Sequence, residues 1–259
     1  MIWEMLKFAM LVRSWINKSR KRWEIFNALI SIQCFGVCNI ENVISELEKY
    51  IPDLEIVIVD DSSSDGTIEI IERLNQNNKY KAIFRKKSRN LASAFVRGLT
   101  ETTGVNIGWL DTNMAEVASK FPEMGNKLKS DNDLILMSRY VKGGGDNRIF
   151  VRAFCSKYFN ILCRIIFRIP IKDFTSSIFL MKRKILDEVT FLGYGHGDFF
   201  LEFLYNVHQK GFKIKEIPYV QKKDDDNSNS KSSPNLIKFF YLGFLYILRI
   251  FVTLIRRKN

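Results

Sequence analysis

Histidine and cysteine are scarce in this chain of 259 residues, with two of the first and four of the second. Two histidines nearly exclude a His-rich zinc site, and Cys34 and Cys38 have no second Cys/His pair near them to complete a ligand set. Cys34, Cys38, Cys155 and Cys163 are too few for a disulfide framework at this length, so reduced, buried thiols are expected, as in a cytosolic protein. The chain also has no G-x-G-x-x-G, no Walker sequence and no Gly-x-Ser-x-Gly elbow. Acidic residues are outnumbered: 28 Asp+Glu against 40 Lys+Arg leave a net charge of +12. An excess of that size favours an anionic partner, whether nucleic acid, phosphorylated metabolite or anionic membrane. Nucleic acid is the least expected of these, because interleaved aromatics and a basic recognition helix are missing and the charge concentrates near the termini. With 46% hydrophobic and 26% charged residues, disorder, collagen-like repeats and a polytopic membrane bundle are excluded.

Both ends carry apolar residues beside cations. In residues 1–24, Ile2, Trp3, Leu6, Ala9, Met10 and Val12 recur at helical spacing, followed by Arg13, Lys18, Arg20, Lys21 and Arg22. A signal peptide places its charge before the apolar run, so the segment is expected to be an amphipathic basic helix, lying on anionic lipid or docked on the core. Residues 236–255 form an apolar run interrupted only by Lys238 and Arg249, close to the ~20 residues a bilayer span requires. Arg249 would cost roughly 2.5–3.5 kcal/mol at mid-membrane. An interfacial helix is therefore favoured over a full span or a helix packed on the core.

Between the ends, strand and helix patterns alternate. Ala28–Ile32, Leu54–Val59, Tyr80–Phe84, Val105–Leu110 and Leu134–Met137 read as short buried strands. Ile40, Val43, Ile44 and Leu47 line one helix face, and further helices follow Asp65-Gly66-Thr67 and contain Leu91, Ala94, Phe95 and Leu99. This rhythm predicts an α/β fold with a doubly wound, mostly parallel sheet, whose ligands bind outside the carboxyl ends of the strands. Asp60, Asp61, Asp111 and Arg139 fall at those ends.

Ile56–Thr67 reads IVIVDDSSSDGT and Trp109–Asn113 reads WLDTN. Ser138–Gly144 reads SRYVKGG and is followed by Arg152, Ser156 and Asn160, then Asp173-Phe174-Thr175-Ser176-Ser177 and Glu216-Ile217-Pro218. In this order the segments resemble family 2 glycosyltransferases, and within them the polyprenyl-phosphate branch of the dolichol-phosphate mannosyltransferase type, over about residues 27–232. The resemblance implies a glycosyltransferase A (Rossmann-like) fold with terminal membrane-associating helices. It divides the chain into residues 1–24 as N-terminal helix, 25–232 as catalytic domain and 233–259 as C-terminal apolar helix with a basic end.

It further implies an inverting transfer of a mannose- or glucose-type sugar from GDP-mannose or a UDP-sugar to a polyprenyl phosphate, at the cytoplasmic face of a membrane. Asp60, Asp61 and Ser62 would contact the nucleotide, with one Asp also free to close an Asx-turn. Asp111 and Asn113 would hold Mg²⁺ or Mn²⁺, with Asn113 standing where the family has its second acid. Arg139, Arg152 and Ser156 would bind the acceptor phosphate, as guanidinium forks onto two phosphate oxygens, although an ion pair is the alternative for each arginine. Lys231 would meet the leaving diphosphate, within a polar stretch over 222–233 that reads as a lid or a linker. A relative that binds lipid phosphate, or a membrane partner, without turnover is the alternative to the enzyme.

Overall fold

The computed structural model describes residues 30–33, 40–51, 54–76, 79–86, 90–111, 114–195, 197–223 and 236–256. The expectations for residues 1–24, Asn113, Lys231 and 224–233 lie outside the described residues. In chain order the elements are β1 (Ile30–Gln33), α1 (Ile40–Tyr50), β2 (Val57–Asp60), α2 (Thr67–Leu74), β3 (Lys81–Phe84), α3 (Leu91–Thr100) and β4 (Asn106–Trp109). A 3-10 turn, Ala115–Lys120, leads into α4 (Phe121–Lys129), β5 (Leu134–Ser138), β6 (Gly145–Asp146), α5 (Phe150–Phe167) and β7 (Phe179–Lys182). A second 3-10 turn, Arg183–Asp187, precedes α6 (Asp198–Gln209), β8 (Ile214–Pro218), β9 (Val220–Gln221) and α7 (Leu236–Arg256).

Seven strands form one sheet in the order β3-β2-β1-β4-β7-β5-β8. Every pairing in it is parallel except those of β7, which runs antiparallel between β4 and β5. The mostly parallel sheet is as the alternating pattern predicts, and the inserted β7 is an addition to it. Strand alternation divides the core. Val57, Val59, Leu134 and Leu136 enter one buried cluster, and Ile56, Ile58, Ile135 and Met137 the cluster on the other face. Strands covered on both sides need apolar residues at every position, which is why IVIV and LILM carry no alternation with polar residues.

Each face has its own helices. Ile40, Val43, Ile44 and Leu47 of α1 pack on one face together with Met124 and Leu128 of α4. On the other, Phe95 of α3 meets Trp109 edge-on at 4.5 Å, and Phe179, Phe199, Phe200 and Phe203 extend the aromatic layer. α7 docks on α6 through Arg249, whose guanidinium reaches Asp198 Oδ2 at 2.7 Å and Glu202 Oε2 at 3.2 Å, all three side chains being buried. The cation expected to burden a membrane span is thus turned into the protein. No helix among the described residues is long and apolar enough to cross a membrane. Cys155 and Cys163 are free, and burial pushes the Cys163 thiol up from its ordinary pKa.

Candidate active site

The carboxyl end of β2 delivers Asp60 and Asp61 into the turn that starts α2. Asp60 is fully buried, and its Oδ2 accepts the Ser63 amide at 2.9 Å while Oδ1 accepts the Ser63 hydroxyl. This is the expected Asx-turn. Asp61 is gripped by a forked pair with Arg85, Nη2 to Oδ2 being 2.7 Å. Arg85 is held in turn by Ser93 Oγ at 2.9 Å, next to Asn90, whose side chain caps α3 by accepting the Ala92 amide at 2.9 Å. Ser62 sits in the left-handed region at φ 59°, and its hydroxyl donates to the Arg85 carbonyl at 2.7 Å. Both acids are therefore fixed before any ligand arrives, although a carboxylate can accept more bonds than these neighbours use. Arg85 was not foreseen, because a lone arginine after a strand carries no local signal.

Asp111 follows β4, next to β1 and half-buried. It contributes one carboxylate, and no group of three or more His, Cys, Asp or Glu among the described residues could hold a metal ion. Among the described residues, the donor set fits a hard divalent cation when further oxygen ligands, such as those of a diphosphate, join Asp111.

β5 ends at Ser138-Arg139, and here the sequence expectation meets a more specific arrangement. Arg139 is 4% exposed. Its Nε donates to Asp173 Oδ2 at 2.8 Å, its Nη2 to Asp173 Oδ1 at 2.7 Å and to Thr175 Oγ1, and its backbone amide to Asp173 Oδ2 at 3.0 Å. Nη1 has one long contact, 3.5 Å to Asp146 Oδ2. Burial alone would lower the pKa of Arg139, but the Asp173 carboxylate outweighs it and raises the value well above the ordinary one. Arg139 is thus an ion-paired arginine with the Nη1 edge left for a further acceptor.

Asp173 is itself positioned. Glu216 on β8 accepts the amides of Lys172 and Asp173 at 2.9 and 3.0 Å, while burial raises its own pKa. Asn160 on α5 accepts the Phe174 amide at 2.6 Å and donates to Thr175 Oγ1 at 3.0 Å. Ser156, one turn earlier, lies 3.4 Å from Thr175 Oγ1 and accepts the Tyr140 hydroxyl at 2.9 Å. Arg139 and Ser156 are therefore brought together through Thr175. Arg152 lies one turn before Ser156 on α5, half-buried. Asp146 forks with Arg148 at 2.8 and 2.6 Å. Burial opposes ionisation there, but Arg148 and Arg139 outweigh it and hold the Asp146 carboxyl below its usual range.

A Cβ at Gly144 would lie 2.6 Å from the Arg139 carbonyl oxygen, so only glycine lets this segment fold back over the end of β5. The fold-back and α5 enclose an open cavity of about 510 Å³. Arg139, Tyr140 and Asp146 line it together with Phe150, Phe154 and Lys157 of α5. A buried cation and aromatic side chains lining one cavity suit an anionic group attached to an apolar chain. Asp198 and Glu202, by contrast, face Arg249.

Comparisons with known proteins give the family and the fold. The profile of "Glycosyl transferase family 2" matches residues 37–190. A dolichol-phosphate mannosyltransferase of Pyrococcus furiosus is 31% identical over 189 residues, 70% of this chain and 52% of the relative. A cholesterol galactosyltransferase of Borreliella burgdorferi is 29% identical over 94 residues, 36% of this chain and 26% of the relative. The chain therefore spans about half the length of the first relative and about a quarter of the second. Among solved structures, glucosyl-3-phosphoglycerate synthase of Mycobacterium tuberculosis with Mn²⁺, UDP and phosphoglyceric acid superposes with a TM-score of 0.68 at 13% identity, covering 90% of this chain and 80% of the other. At that identity the likeness concerns the fold, which is of the glycosyltransferase A type.

Proposed function

The chain belongs to glycosyl transferase family 2, and from that premise we propose that it moves a mannose- or glucose-type sugar from GDP-mannose or a UDP-sugar to a polyprenyl phosphate. The observation that carries this reading is the buried Arg139 in the lining of a cavity to which Phe150 and Phe154 contribute apolar surface. The name of the archaeal relative supports the same acceptor class. Residues 25–232 form the catalytic domain in this reading. Residues 1–24 and 233–259 hold it peripherally at the cytoplasmic face of a membrane.

The phosphate oxygen of the acceptor attacks the anomeric carbon opposite the nucleotide diphosphate. The new C–O bond forms as the bond to the leaving diphosphate breaks, with inversion. A phosphate oxygen is already anionic, so no general base is required. The protein's task is to hold two anions together. Arg139 through Nη1, Arg152 and Ser156 hold the acceptor phosphate, while Asp60, Asp61 and Ser62 orient the base and ribose. Asp111 and Asn113 would hold Mg²⁺ or Mn²⁺ against the diphosphate, where such an ion supplies Lewis-acid stabilisation of leaving-group charge. Lys231 would add a cation to the same charge.

The test is mass spectrometry of products from the full chain given a panel of nucleotide sugars and a short polyprenyl phosphate. A glycosyl phospholipid that disappears in Asp111→Asn is the expected result. Acceptor binding with no glycosylated lipid from any donor would refute transfer and leave a lipid-phosphate binder.

A further inference from the structure

Asp146 is an acid in the lining of a cavity whose proposed ligand is an anion. It lies on β6, in register with Gln221 of β9, and the flanking amides of Gly145 and Asn147 donate to the carbonyls of Tyr219 and Gln221 at 3.1 and 3.0 Å. The ribbon thus fixes the backbone that presents the carboxylate, and the side chain is 6% exposed. Its two oxygens take the fork of Arg148, Nε to Oδ1 at 2.8 Å and Nη2 to Oδ2 at 2.6 Å. Two further donors reach Oδ2 from longer range. Arg139 Nη1 is 3.5 Å away, and the Tyr140 hydroxyl is 3.3 Å away, closer to Ser156 Oγ at 2.9 Å. Burial opposes ionisation of Asp146, but Arg148 and Arg139 outweigh it, so the group is a carboxylate at neutral pH. Arg139 does not require this acid, because Asp173 already takes its Nε and Nη2 at 2.8 and 2.7 Å.

We infer that Asp146 is an internal competitor for the acceptor anion, and that Arg148 restrains it by keeping its carboxylate forked. The inference rests on the reading of Arg139 as a ligand of the acceptor phosphate. Arg139 Nη1 and the Tyr140 hydroxyl are the donors an incoming phosphate oxygen can take, and they are the two that Asp146 holds by long contacts. A phosphate takes over those two, while the fork to Arg148 persists, because the bonds given up are weak and the bonds kept are short and charge-assisted. The carboxylate then stays beside the bound phosphate as a like charge and limits how tightly the phosphate is held. Without Arg148 the same carboxylate would turn to Arg139 Nη1 and compete harder.

The experiment is titration calorimetry of the full chain with two probes, farnesyl phosphate and inorganic phosphate, with no sugar donor present. Asp146→Asn keeps the shape and an oxygen for Arg148 but removes the charge, and should tighten both probes by about tenfold. Like charges a few ångströms apart interact by more than that at the effective dielectric of a protein, and the retained Arg148 offsets part of it. Asp146→Ser, smaller and equally uncharged, should act in the same direction. Arg148→Ala, which frees the carboxylate, should weaken both probes by about tenfold. Opposite signs from the two ends of one ion pair separate competition from a structural role, since loss of a structural pair would weaken binding from either end. Unchanged or weaker binding by the folded Asp146 variants, or a change in the same direction in all variants, would overturn the inference and leave the acceptor reading in place. Tighter inorganic phosphate in Asp146→Asn with no farnesyl phosphate bound by any form would uphold the competitor and refute the lipid acceptor. Binding of neither probe by any form would refute both.

Discussion

Replacing Arg139 by alanine should destabilise the fold before it affects any ligand. The guanidinium gives two buried N–H bonds to Asp173 and a third, part-buried, to Thr175. Removing it leaves the Asp173 carboxylate inside the protein without its cation, and breaking a buried pair from one side costs about 3–5 kcal/mol. Asp173 would keep the backbone amide of residue 139 at 3.0 Å and that of Thr175 at 3.1 Å, which puts the expected loss near the lower end, about 3 kcal/mol. Arg139→Lys keeps a charge but not the fork and should lie between alanine and wild type. Asp173→Ala should cost a similar amount, and the double variant should cost less than the two together, with a coupling above about 1 kcal/mol. Urea unfolding of the four forms measures this directly, with Arg97→Ala as the exposed comparison, since Arg97 pairs with Glu101 on the surface. If Arg139→Ala lost no more stability than Arg97→Ala, or the two losses simply added, Arg139 would not be the paired cation described here. In variants that remain folded, binding of a short polyprenyl phosphate should fall further than nucleotide binding, as measured by titration calorimetry.

Arg249→Met should cost about 3–5 kcal/mol, because Asp198 and Glu202 are both left buried without their shared cation; limited proteolysis should then cut within α7 while the rest of the chain persists. Gly144→Ala forces a Cβ to within 2.6 Å of a backbone oxygen and should lower stability by about 1–3 kcal/mol, read as a reduced denaturation midpoint. At Asp133, burial opposes ionisation but the Lys184 ammonium, the Lys213 amide and Lys182 outweigh it, so its carboxyl sits below the usual range. A lowered folded-state pKa contributes stability that is present above the unfolded value, about 3.9, and lost as pH falls through the folded value. Asp133→Asn should therefore narrow its difference from wild type in thermal midpoint as pH falls from neutral to below about 4, and a difference constant with pH would show that this carboxylate does not contribute.

The sheet was legible in the sequence where a strand is buried on both faces. IVIV and LILM admit no amphipathic alternative, and Asp60 and Asp111 after their strands mark carboxyl ends without any knowledge of contacts. β7 was not read, because FLMK is four residues long and only its pairing to β4 and β5 makes it a strand. α5 was not read as a helix: Arg152, Ser156 and Asn160 fall at steps of four, but its outward stripe is apolar like a core face, and sequence alone does not say which apolar stripe is covered.

The two arginines show why charge is the hardest part of a sequence to read. Arg139 was expected at the acceptor phosphate, with an ion pair as the alternative, and its partner Asp173 is 34 positions away. Arg249 was weighed as a cost inside a membrane, and Asp198 is 51 positions upstream. In both cases the carboxylate that makes burial of the cation tolerable comes from another element. An arginine within an apolar helix must meet water, an acid or a phosphate. In α7 the acids on α6 already answer that requirement, which fixes which side of the helix the protein keeps. In Arg139 the requirement is met for Nε and Nη2 but only by a 3.5 Å contact for Nη1. That remaining edge, rather than the arginine as a whole, is where an incoming anion has something to gain.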